Sequence, residues 1–146
     1  MSLPAILLDN SVVQRLHDPE VAAAVDRLRG DLPIATCLPV LLEQGFCARS
    51  AVDHDRLMTA AFDDAVVLHP SPEVMTIAVG LQAALFRAGL GRAVGVSDLQ
   101  IAATAIHHST VERPVVLVHY DRDFDHVVAV EPRLRSRWIV PPGSVA

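Results

Sequence analysis

Strand-sized apolar runs separated by helix-length segments constrain this chain more than any other feature. Ala5–Leu8, Leu32–Ala35, Ala65–Leu68 and Val115–Val118 are such runs, and Trp138–Val140 is a candidate fifth. Between them the spacing turns helical. Pro19 stands where helices start, and Val21, Val25 and Leu28 recur on one face until Gly30 stops the helix. Ser11 is placed to cap a short helix through Leu16, and Thr36 one from about Leu38 to Arg49. Further helices are expected from about Asp53 to Phe62, from Pro72 to near Gly89, and from a Ser97 cap to His107 or His108. Strands alternating with helices predict an α/β fold whose parallel sheet is covered on both faces. No repeat, low-complexity segment or linker divides the 146 residues, so one domain over residues 1–146 is expected.

The composition allows such a core, being 51% hydrophobic and only 20% charged. The apolar runs fall far short of the roughly 18 residues of a spanning helix, so no membrane segment is expected. Met1-Ser2-Leu3-Pro4 has no basic leader character and Asp9 interrupts the first run, which points to the cytoplasm. Cys37 and Cys47 lack metal-ligand spacing and read as reduced thiols. All twelve basic residues are arginine. Any mechanism that needs a lysine is thereby excluded, including the phospho-aspartate and dehalogenase-like phosphatase sites that also place an aspartate after the first strand.

The positions of certain carboxylates carry the chemistry. Asp9 follows the first strand directly and Asp121 follows the fourth. Ligands of open α/β sheets bind at the carboxyl ends of the strands. Glu43 is flanked at helical spacing by Pro39, Val40, Phe46 and Cys47, and Asp98 by Val94, Gly95, Ile101 and Ala102. Both are therefore expected on apolar faces, where a carboxylate needs a partner. No arginine stands at those spacings. Singly, each has a plainer reading: Asp98 as a helix first-turn acid, Asp9 and Asp121 as loop or capping residues, Glu43 swung to solvent. Together they point to a hard divalent cation, Mg²⁺ or Mn²⁺, because two carboxylates 4 Å apart repel by about 4 kcal/mol at an effective dielectric near 20. Such a site suits phosphoryl chemistry.

The motifs resemble those of PIN domains. Leu8-Asp9-Asn10-Ser11 is similar to the family's opening motif, and Glu43 in Leu41-Leu42-Glu43 to its mid-chain acidic position. Val96-Ser97-Asp98-Leu99-Gln100-Ile101-Ala102-Ala103-Thr104-Ala105 resembles the third motif, and His119-Tyr120-Asp121-Arg122-Asp123-Phe124-Asp125 the fourth. Trp138-Ile139-Val140-Pro141 resembles endings common among VapC toxins. The resemblance spans the chain. It implies a three-layer α/β/α sandwich with a central, mainly parallel sheet of four to five strands. It also implies a Mg²⁺- or Mn²⁺-dependent endoribonuclease toxin of a type II toxin–antitoxin pair, restrained by a VapB-type antitoxin and usually homodimeric. Asp9, Glu43, Asp98 and Asp121 then match the family's acidic quartet, and Ser11 its small hydroxyl position. On this reading Asp9, Asp98 and Asp121 hold the ion, and Glu43 joins them or orients the water that cuts an RNA phosphodiester. Asp123 is either a further ligand or a helix cap. His119 and Asn10 depart from the usual residues at their positions.

Two rivals remain at this level. His107, His108, His119 and His126 suggest zinc or metal-free acid–base catalysis, although His107 and His108 also suit a helix C-terminus. A PIN-like module that binds RNA or protein without cutting is the other.

Overall fold

The computed structural model describes residues 5–146; Met1–Pro4, and the argument against a leader drawn from them, lie outside the described residues. Among the described residues, β1 (Ala5–Leu8), β2 (Ile34–Cys37), β3 (Val66–Leu68), β4 (Val115–His119) and β5 (Ser136–Trp138) form one sheet in the order β3-β2-β1-β4-β5. Every pairing is parallel, so the expectation of a mainly parallel sheet of four to five strands is met at five. Parallel neighbours require crossovers. These run through α1 (Asn10–Val13), α2 (Pro19–Arg29), α3 (Leu38–Phe46), α4 (Ala51–Asp64), α5 (Pro72–Arg87), α6 (Val96–His108) and α7 (Asp123–Val130).

Alternation along the strands divides the core in two. Leu7, Ala35, Val115 and Leu117 pack with α5, α6 and α7 through Leu81, Leu85, Ile101, Phe124 and Val127. Ile6, Leu8 and Val118 point the other way, onto Val12 of α1 and Val21 and Val25 of α2. Side chains alternate between faces at every residue of a strand, so a strand covered on both sides has to be apolar throughout. That is why the first and fourth runs contain no polar position. The layers are helix, sheet and helix. One helix stands apart: α4 buries none of its residues and packs against α3.

Several helix starts differ from expectation. Asp9, not Ser11, caps α1, its carboxylate accepting the Ser11 N–H. Ser11 already directs its hydroxyl to Tyr120. Cys37 and Gly95 cap α3 and α6 without side-chain hydrogen bonds, in place of Thr36 and Ser97. Ser50 caps α4, which therefore begins before Asp53. The last strand ends at Trp138, and Ile139 and Val140 continue into the core. Among the described residues no helix is long and apolar enough to cross a membrane.

Leu117 lies on the central strand β4 with none of its surface exposed. Leu117→Ala is expected to cost about 2–5 kcal/mol of stability. Val111→Ala, at a residue 88% exposed, should stay within about 0.5 kcal/mol. Urea denaturation of the two variants checks both.

Candidate active site

The strand order places a crevice where the candidate acids fall. From β1 the chain moves outward to β2 and β3, then crosses back to β4 on the other side of β1. Loops leaving β1 and β4 diverge at that switch point and open a cleft at their carboxyl ends. Asp9 leaves β1 and donates its backbone N–H to the Val118 carbonyl at 2.9 Å. Its Oδ2 accepts from Ser11 N at 3.0 Å, while its Oδ1 is buried without a hydrogen-bond partner.

Asp121 follows β4. Its Oδ1 accepts the Asp123 N–H at 2.9 Å, and its own N–H donates to Nδ1 of His119 at 3.2 Å. Asp123 is thus the first residue of α7, not its cap, which is Arg122. Asp98 lies in the first turn of α6, between the buried Val94 and Ile101. Oxygens of Asp98, Asp121 and Asp123 lie within 4.8 Å of one another. Asp9 and Glu43 stand outside that trio but line the same cavity, of about 410 Å³, with Asn10, Ser11, Ser97, Asp98 and Asp121.

The electrostatics follow from burial and crowding. Asp98 is pushed up to about 8, first by burial and then by Asp9, Asp121, Asp123 and Glu43. Burial, then Asp9, raises Glu43, and hydrogen bonds from Ser97 and Asn10 oppose this. Asp123 is raised by burial and then by Asp121. Among the described residues the ion pairs are Arg56–Asp53 and Arg133–Glu131, so no arginine is paired with any of the cavity's carboxylates. An all-oxygen donor set, an unpartnered buried carboxylate oxygen and the lack of a protein cation together fit a hard divalent ion.

Glu43 is half-buried, and its apolar flank is split. Pro39 and Val40 face the core, while Phe46 and Cys47 at the end of α3 are exposed. Ser11 Oγ accepts the Tyr120 N–H at 2.9 Å and ties the loop after β1 to that after β4. Arg15 lies 4.6 Å above the Tyr120 ring and donates to the Ser11 carbonyl. The Tyr120 hydroxyl donates to the Val145 carbonyl at 2.9 Å.

Sequence reasoning missed this strap, because residues as far apart as Ser11 and Tyr120 carry no mutual signal. It also missed the Ser97 hydroxyl on Glu43, although Ser97 adjoins a motif aspartate. No histidine lines the cavity. His119 is fully buried between Phe124 and Trp138, and His108 contacts the His69 carbonyl.

Comparison with known proteins agrees with this geometry. The chain matches the family model described as PIN domain over residues 6–130. It is 36% identical over 138 residues to "Ribonuclease VapC21" of Mycobacterium tuberculosis, covering 94% of this chain and 96% of that protein. Its fold is similar to the structure of VapBC-1 from nontypeable Haemophilus influenzae, with a TM-score of 0.73 at 16% identity over 92% of this chain and 98% of that one. It is also similar to VapBC-5 from Mycobacterium tuberculosis, described as a member of the VapBC family of toxin-antitoxin systems, with a TM-score of 0.60 at 21% identity over 92% and 96% of the two chains.

An unfolded aspartate titrates near 3.9, so up to about 8 the folded, metal-free protein retains a proton on Asp98 that the unfolded chain has released. Its stability should therefore fall as pH rises from about 4 to about 8, with Glu43 and Asp123 acting in the same direction. Thermal melts in EDTA should show the fall, Asp98→Asn should flatten it, and Mn²⁺ at the upper end should reverse it.

Proposed function

This chain belongs to the PIN domain family, and from that premise we propose that it is a metal-dependent endoribonuclease, the toxin of a type II toxin–antitoxin pair. One observation carries the reading. A half-buried carboxyl, Asp98, is pushed up to about 8 among other carboxylates, with no arginine among the described residues paired to any of them. The name and 36% identity of the VapC21 ribonuclease support RNA as the substrate.

Asp98, Asp121 and Asp123 are the residues placed to hold Mg²⁺ or Mn²⁺, with Asp9 and its unpartnered Oδ1 lining the same cavity. When bound, the ion supplies an activated water and neutralises charge building on the phosphate. Asp123 thus joins the proposed ligand set beside Asp9, Asp98 and Asp121. Glu43, steadied by Ser97 and Asn10, orients the attacking water and receives its proton. In the metal-free protein, burial and then the charge of Asp9 raise Glu43 above an ordinary glutamate. Ser11 holds the loops after β1 and β4 in register through Tyr120. Cleavage leaves a 5′-phosphate and a 3′-hydroxyl.

The remaining assignments rest on this one. Residues 1–146 are read as a single PIN domain acting in the cytoplasm. A VapB-type antitoxin is the inhibitory partner, a reading supported by the VapC and VapBC names of the similar proteins. A homodimer is supported by α5, which leaves Met75, Val79 and Phe86 more than half exposed along its length.

Purified protein free of any antitoxin should cut total cellular RNA into discrete fragments with Mg²⁺ or Mn²⁺ and not with EDTA. Asp98→Asn should lower the rate by roughly 100-fold or more. Cleavage that survives EDTA would overturn the metal mechanism. Metal binding without cleavage of any RNA would favour the silent module.

A further inference from the structure

The proposed mechanism leaves one buried polar ring without a part. Alternation along β4 turns His119 to the same side of the sheet as Val115 and Leu117, into the layer that α5, α6 and α7 cover. None of its surface is exposed. Its ring centroid lies 5.0 Å from that of Phe124 on α7 and 5.1 Å from that of Trp138, its register partner on β5. Trp138 is fixed in turn, its indole N–H reaching both carboxylate oxygens of Asp125 at 3.2 Å. An apolar side chain would suit these surroundings better. Nδ1 of His119 accepts the Asp121 N–H at 3.2 Å, so the ring's hydrogen sits on Nε2, which is buried with no hydrogen-bond partner. A buried donor left unpaired is unfavourable, and phenylalanine in the same place would not carry that cost.

What phenylalanine could not do is hold the acidic loop. The His119 side chain takes the backbone N–H of residue 121, and the Asp121 carboxylate takes the N–H of Asp123 at 2.9 Å. Two bonds of the same two-residue span therefore follow one another, each fixing the backbone from which the next carboxylate projects. Asp121 and Asp123 are two of the three acids whose oxygens lie within 4.8 Å of one another. The chemistry needed at position 119 is an acceptor of short reach. Nδ1 of histidine is bonded to Cγ, as Oδ1 of asparagine is, and asparagine readily accepts from the N–H two residues on.

Resting on the metal-dependent reading, we propose that His119 is a positioning residue for the cation: its Nδ1 orients Asp121, and through it Asp123, separately from the packing that its ring supplies. The acceptor and the ring are two functions of one side chain, and substitution can divide them. Phenylalanine keeps a ring and loses the acceptor. Asparagine keeps the acceptor and loses the ring.

The test compares the wild type with His119→Phe and His119→Asn in the absence of RNA. Each protein is titrated calorimetrically with Mn²⁺ and melted in EDTA, and the wild-type imidazole nitrogens are observed by NMR. The wild-type ring should show a bare Nδ1 and a protonated Nε2. His119→Phe should melt close to the wild type yet bind Mn²⁺ about 10- to 100-fold more weakly, the loss that goes with removing a group that orients a metal ligand. His119→Asn should melt lower yet keep most of the affinity that His119→Phe loses. Affinity that follows stability instead, that falls equally in both variants, or that is unchanged in His119→Phe would make the ring a packing element alone and overturn the proposal. So would a hydrogen found on Nδ1, a result that depends on neither variant folding. If the wild type binds neither Mn²⁺ nor Mg²⁺, the metal-dependent reading fails and this proposal with it, an outcome distinct from the others.

Discussion

Carboxylates gathered at the carboxyl ends of two adjacent parallel strands repel one another, and among the described residues no arginine is paired with them. Coulomb energy between such charges runs to kilocalories per mole in a partly buried site, so the arrangement is unfavourable unless protons or a cation relieve it. Burial and that mutual repulsion raise Asp98, Glu43 and Asp123 above ordinary carboxylates in the bare protein. The sheet supplies the rigidity that keeps the groups from simply moving apart. β1 and β4 are paired along their length, with Leu8 opposite Val118, and the aspartates leave from the ends of that ladder.

Backbone groups hold the acids as firmly as side chains do. Asp9 is anchored by its N–H on the Val118 carbonyl, and its carboxylate by the Ser11 N–H. The N–H of Asp121 is taken by a fully buried imidazole, and its carboxylate by the N–H that opens α7. Ser11, Tyr120, Arg15 and the tail at Val145 then close a chain of contacts across the two loops. His119 serves here as an acceptor and a packing surface against Phe124 and Trp138, so the residue that departs from the family pattern still takes part in positioning.

Much of the site was legible in the chain because its pattern is local. Asp9 and Asp121 stand out as acids directly after strand-length apolar runs, and Asp98 as an acid among helix-spaced apolar residues. Helix starts were less legible. Ser11, Thr36 and Ser97 all qualify chemically as caps, yet Asp9, Cys37 and Gly95 hold those positions. Tertiary bonds account for two of the three, since the Ser11 hydroxyl is spent on Tyr120 and that of Ser97 on Glu43, while the Thr36 hydroxyl is buried without a partner. Glu43 was expected on a fully apolar face, but Phe46 and Cys47 at the end of α3 are exposed, so half of that face meets solvent.

Periodicity and residue type alone determined the α/β class, the covered parallel sheet, the exclusion of lysine chemistry and the four acidic positions first singled out. These are properties of neighbours along the chain, where strand alternation and helical spacing leave a direct imprint. The fold decided which carboxylates meet. It set Asp98, Asp121 and Asp123 together and left Asp9 and Glu43 on the same wall. Distances between side chains on different elements depend on strand order and helix placement. Only the packing of the two core layers against the sheet sets those.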